Sequence, residues 1–203
     1  MNRQIPLARL LLSLIFAYSF TWISFSNEKV FWYFYTFTIL FLMSIAYFYI
    51  KIKDEVKTIR YIFLGIGFGM LLYAIIAFGY KIIHIFPMLS TTSIDHFITK
   101  FAPSSISQYL LLLILIAPGE ELFWRGYIQQ QLKRWFKPSY SVVISAVLFS
   151  ISIVFSGFWL GVLGSFVVGI ILGYLYEWKK SMQLIILAHI TMLVLLFFVF
   201  PFK

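Results

Sequence analysis

The chain has 203 residues, 62% of them hydrophobic and 21% aromatic, with only 11% charged and a formal net charge of +9. So few charges cannot coat a globular surface, which excludes a soluble domain and leaves an all-α polytopic transmembrane helical bundle. With no cysteine, disulfides, thiolate metal sites and a cysteine nucleophile are excluded. The cations cluster between apolar runs rather than on a basic stripe, so nucleic acid is not an expected partner.

Runs of about twenty apolar residues mark bilayer spans, and about seven are expected: Ile5–Phe25, Val30–Ile50, Tyr61–Tyr80, Gln108–Leu132, Tyr140–Ser156, Phe158–Trp178 and Met182–Phe200. Arg3 and Arg9 before the first run imitate a signal peptide. The run lacks a small-residue cleavage pattern and continues through aromatics to Phe25, so an uncleaved first span is expected. The fifth run is short, and the break near Gly157 is the least secure boundary.

With the N-terminus in the cytoplasm, the inner segments hold Arg3, Arg9, Lys51, Lys53, Lys57, Arg60, Lys133, Arg134, Lys137, Lys179 and Lys180. The outer ones hold Lys29, Lys81, Lys100 and Lys203. Eleven against four favours that orientation, with the C-terminus outside. The expected location is integral to a membrane, and a bacterial plasma membrane in particular.

Between the third and fourth runs, Ile94, Phe97, Ile98 and Phe101 repeat at helical spacing, with Asp95, His96 and Lys100 on other faces. A short helix near 93–101, lying in the outer interface, is expected there. His84 and His96 fall at the outer membrane edge and are expected to be solvated. Residues 1–107 thus form the N-terminal spans and 108–200 a core, together one membrane domain.

In the sixth run Gly157, Gly161, Ser165, Gly169 and Gly173 place a small residue at every fourth position, a ridge for close helix packing. Gly65, Gly67 and Gly69 in the third have a similar origin, but their spacing of two spreads them around the helix. The abundant aromatics read as lipid-facing and interfacial bulk.

The chemistry concentrates in the fourth run. Of seven acidic residues, Glu120 and Glu121 alone lie mid-way along a hydrophobic segment, with Arg125 behind them. A charge at that depth costs roughly 3 kcal/mol on insertion scales, which marks a functional interior or an ion pair stapling helices together. Pro118 and Gly119 predict that the helix kinks or starts afresh just before the pair. Neighbouring helical residues point about 100° apart, so the two carboxylates take separate roles. Arg125 stands four residues after Glu121, the favourable order for a helical ion pair. Glu120 is then left facing the bundle interior, where a carboxylate can take a proton from water. His189, in the last run, is the second polar group at membrane depth. A lone histidine there is commonly a packing residue, but buried carboxylates elsewhere make it a candidate partner.

Three segments carry a family resemblance: Glu120-Glu121-Leu122-Phe123-Trp124-Arg125-Gly126, Gly169-Ile170-Ile171-Leu172-Gly173-Tyr174-Leu175-Tyr176, and Leu187-Ala188-His189. They resemble the CPBP family, the membrane-embedded CAAX-processing and bacteriocin-immunity (Abi) proteins, over roughly Tyr109 to Leu196. The first three spans carry no family signature. The resemblance implies that Glu120, with a histidine of the next helix, activates water for peptide hydrolysis. It also implies that a histidine followed four residues later by asparagine stabilises the oxyanion. Here His189 matches the second histidine, but Ile153 and Leu193 stand at the other two positions.

Losing one oxyanion donor costs about 10²–10³ in rate, and losing an acid-base partner about 10²–10⁴. Three functions follow. One is an intramembrane endopeptidase with Glu120 as base, acting on a peptide or membrane-protein substrate. Another is a catalytically degenerate immunity or scaffold protein that binds a membrane or secreted partner. The weakest is a proton- or ion-coupled carrier, since no broken-helix pair or inverted repeat is visible. Membrane lipid is the surrounding partner in each. The sequence specifies no cofactor. A divalent metal is the one candidate, and Glu120 and His189, even with Glu121 recruited, are too few ligands for a stable zinc site. Tyr174, Tyr176 and Thr191 carry hydroxyls that compensate for the two departures only if they face Glu120.

Overall fold

A computed structural model describes residues 7–49, 58–85 and 92–200. The expected span ends at Ile5 and Ile50, and the cations Arg3, Lys51, Lys53, Lys57 and Lys203, lie outside the described residues, as does the side chain of His84. Among the described residues the chain forms eight helices and no strand: α1 Leu7–Phe25, α2 Phe31–Tyr47, α3 Thr58–Ile85, α4 Thr92–Phe101, α5 Ile106–Leu132, α6 Pro138–Val154, α7 Trp159–Lys179 and α8 Met182–Val199.

Each of the seven apolar runs coincides with one of these helices. Five of them (α1, α3, α5, α7 and α8) are long and apolar enough to cross a membrane. α2 and α6 have 17 residues each, about 26 Å at helical rise, slightly less than a hydrocarbon core. Large apolar side chains stay exposed around the bundle, among them Tyr33, Phe63, Phe78 and Trp178. Such a surface suits acyl chains and not water. The fold class is an all-α membrane bundle, and the chain is an integral membrane protein.

Helix ends follow local chemistry. The Ser105 side chain accepts from the Gln108 backbone in a capping box that opens α5. Pro138 opens α6 at a position where its missing N–H costs nothing. α7 ends at Lys180, which adopts a left-handed conformation (φ 49°), and Ser181 caps α8 by accepting from Leu184. α6 and α7 are joined by a tight turn in which Gly157 has φ +69°, a conformation glycine adopts without steric cost. Gly157 therefore serves the turn and is not part of the packing ridge on α7.

α1 and α2 form one antiparallel hairpin, and α6 and α7 another. α3 and α8 run parallel: Gly65 meets Leu187, Gly69 meets Ala188 and Thr191, and Tyr73 Oη donates to the Phe200 carbonyl at 3.0 Å. Gly65 and Gly69 thus form a small-xxx-small seam, while Gly67 faces open space. α5 runs through the middle and touches α2, α6, α7 and α8. Gly169 and Gly173 of α7 face α6 and α5, as the ridge reading expected. Interhelical hydrogen bonds add fixed points: Tyr18 Oη donates to the Leu148 carbonyl at 3.1 Å and Ser145 Oγ to the Trp124 carbonyl at 2.8 Å.

α4 lies across one end of the bundle. Its Phe97 stacks on Phe158 at 4.6 Å, and Phe101 meets Phe25 and Phe31 edge-on at 5.2 and 4.9 Å. His96 on its other face is exposed.

Pro118 does not restart α5. The backbone keeps right-handed helical angles throughout, and two wider π-helical stretches, Leu111–Ile116 and Leu122–Ile128, flank the segment Ala117–Glu121. Widening the turn before a proline gives its ring room and leaves the chain continuous. Of the two expectations, a kink or a fresh start, the fresh start is not met: the helix is continuous and its winding changes on either side of the proline.

Candidate active site

The site is assembled from α2, α5 and α8 around two carboxylates one residue apart. Glu121 is fully buried and faces α8. Its Oε1 accepts from Arg125 Nη1 at 3.0 Å and pairs with His189 Nδ1 at 2.8 Å, where a ring N–H donates to the carboxylate. Arg125 is itself buried, with its guanidinium 4.7 Å from the centre of the Phe149 ring. α7 makes room for it through Gly169, where a Cβ would stand 3.3 Å from Nη2. The clamp uses one oxygen and one nitrogen: Glu121 Oε2 and Arg125 Nη2 are buried without a protein partner among the described residues.

Glu120 turns the other way. Its Oε1 accepts from Tyr35 Oη of α2 at 2.5 Å, and both residues are 8% exposed. α2 can approach this closely because Gly119 has no side chain. A Cβ there would strike Ile39 and Met43. Among the described residues Tyr35 is the hydrogen-bond partner of Glu120, which leaves Oε2 uncommitted.

Sequence reasoning placed all four candidates in one interior and paired Glu121 with Arg125. It expected His189 near Glu120; the imidazole lies within electrostatic reach of Glu120 and is hydrogen-bonded to Glu121. It missed Tyr35, whose only signal is a hydroxyl in an apolar helix that must find a partner when buried. It also missed the support beneath the site. Gln129 Nε2 donates to the Gly173 carbonyl at 3.2 Å and to Glu177 Oε1 at 3.0 Å. Glu177 in turn binds Lys133 at 3.0 Å and also Lys180, tying the end of α5 to α7.

Of the three hydroxyls weighed as substitutes, Tyr174 is exposed, Thr191 packs on Gly69 of α3, and Tyr176 is buried in the cluster with Leu72 and Leu184. Ile153 is half-buried and Leu193 sits in that same apolar cluster. No three of His, Cys, Asp and Glu converge among the described residues, and the Arg125 guanidinium already supplies the cation beside Glu121. This donor set does not fit a divalent metal. An apolar cleft of about 470 Å³, lined by Leu7, Leu10, Leu132, Trp135 and Leu148 among others, touches none of the four residues.

Residues 102–195 match the family model described as type II CAAX prenyl endopeptidase Rce1-like. Over that segment the chain is similar to the Rce1-like family. No curated protein and no solved structure matches it. The Rce1-like segment contains Glu120, Glu121, Arg125 and His189, and also Ile153 and Leu193. Tyr35 lies outside it.

Proposed function

We propose that this Rce1-like protein is an intramembrane endopeptidase in which Glu120 is the general base, acting on a peptide or membrane-protein substrate. A bacterial plasma membrane with the N-terminus in the cytoplasm is the setting that fits its cation asymmetry. The observation that carries the reading is the unequal state of the two carboxylates. Each carboxylate has one oxygen without a protein partner, but Glu121 is fully buried and held by Arg125 and His189, whereas Glu120 is held by Tyr35 and retains 8% exposure. A base must reach its water, and of the two carboxylates Glu120 is the one with surface left exposed.

In the reaction, Glu120 Oε2 takes a proton from water as the water oxygen bonds to the scissile carbonyl carbon. The tetrahedral species then expels the amine as the C–N bond breaks, and the proton passes from Glu120 to the amine nitrogen. Leu193 offers no hydrogen bond to the oxyanion, so turnover is expected to be slow, by about 10²–10³ for a missing donor.

A second reading is favoured by the apolar environment of Leu193 and the absence of histidine from α6. Here the protein is a degenerate member, of the Abi or bacteriocin-immunity type, that holds a membrane or secreted partner without cutting it. Reconstituted protein assayed on a peptide panel separates the two. Cleavage abolished by Glu120→Gln supports the peptidase. A cellular phenotype that survives Glu120→Gln, with no cleavage by wild type, supports the binder.

A further inference from the structure

We infer that Tyr35 is a positioning residue for Glu120, supplied by α2 from outside the Rce1-like segment. Its catalytic consequence rests on the peptidase reading; its effect on the carboxylate does not. The Tyr35–Glu120 separation of 2.5 Å lies in the range of a hydroxyl donating to a charged oxygen, the stronger class of hydrogen bond. The donor is held rigidly. The Tyr35 ring stacks on Phe31 at 5.2 Å and 18° and meets Phe25 at 5.8 Å, and Ile39 one turn on presses against the bare backbone of Gly119.

The neighbouring helix offers nothing equivalent. On α6, Ser145 spends its hydroxyl on the Trp124 carbonyl, while Ser150 and Ser152 bond carbonyls of their own helix at 2.9 and 2.6 Å. On α2 itself, Thr38 is engaged with Ser24 and the Phe34 carbonyl. The imidazole of His189 is hydrogen-bonded to Glu121. Tyr35 is thus the group that fixes Glu120, and it does so by one oxygen. Oε1 is thereby occupied, and Oε2 is the oxygen left to take a proton. Tyr35 keeps its proton throughout the cycle. The proton that moves is the one taken from water and returned to the amine.

The test uses the full chain in lipid vesicles and two readouts. The first is the rate at which a carbodiimide labels Glu120, followed by mass spectrometry. The second is the split of kcat and KM on a cleaved peptide. Tyr35→Phe removes one oxygen and keeps the ring that stacks on Phe31. Labelling is expected to rise several-fold because Oε1 is freed, with kcat falling about tenfold or more, as for loss of one hydrogen bond to a charged group, and KM nearly unchanged. Equal labelling in the variant overturns the assignment, as does unchanged kcat. Labelling that rises while wild type cuts no peptide supports Tyr35 and defeats the peptidase reading instead. Site-specific 3-fluorotyrosine at position 35 preserves the shape and strengthens the donor, so labelling should slow. Unchanged labelling there overturns the assignment even if Tyr35→Phe fails to fold.

Discussion

The two sides of α5 differ in how their carboxylates are held. Toward α8, Glu121 is enclosed by Arg125, His189 and the Phe149 ring, with the glycine at 169 leaving the guanidinium its space. Toward α2, Glu120 has a single tyrosine and a remainder of exposure. A buried ion pair is costly to break and confers little net stability over an apolar core, so its value lies in fixing one arrangement. A carboxylate on one hydrogen bond is free to change partners. The difference separates a framework from the group proposed to react.

The comparison is broken most severely at Arg125. Arg125→Ala leaves Glu121 buried beside His189 alone, and a loss of about 3–5 kcal/mol is expected, read as collapse of the thermal transition in detergent. Retention of wild-type stability would mean that the clamp is not framework.

The seam that carries His189 is the next place to press. Gly69→Ile drives a branched side chain into Ala188 and Thr191 and is expected to cost about 1–3 kcal/mol. Gly67→Ile, one face round, meets open space and should leave the unfolding midpoint in place. Equal effects at the two sites would contradict the seam.

The smallest effect belongs to Glu120→Gln. The amide oxygen still accepts from Tyr35, so stability should move by no more than about 1 kcal/mol while cleavage disappears. A large fall in midpoint would place Glu120 with the framework.

Much of this was legible because lipid imposes simple demands. Each apolar run had to be a helix, since backbone groups in hydrocarbon must pair within their own segment. The Glu121–Arg125 pair was legible from an i, i+4 spacing. Pro118 left a fresh start open because a proline can also be accommodated by widening the turn before it, which no residue type announces. Gly65 and Gly69 were masked by Gly67, whose presence blurred a four-residue repeat. Gly157 was counted in a ridge it does not join because a turn and a packing face favour the same residue. Tyr35 is one of 13 tyrosines in the chain, and nothing local distinguishes the one that meets Glu120. That meeting depends on Gly119, 84 residues further along in a different helix.

The two π-helical stretches of α5 set the rotational phase of the helix on either side of Glu120 and Glu121. Each wide turn absorbs one residue beyond ordinary winding, so removing a single leucine from Leu111–Ile116 would let that part rewind as α-helix. The half of α5 before the proline would then swivel by about 100° relative to the carboxylates. Its lipid-facing side chains would turn into the bundle, and the pair would no longer be aimed at α2 and α8 together. In this helix the count of residues, as much as their identity, is a determinant of where the acids point.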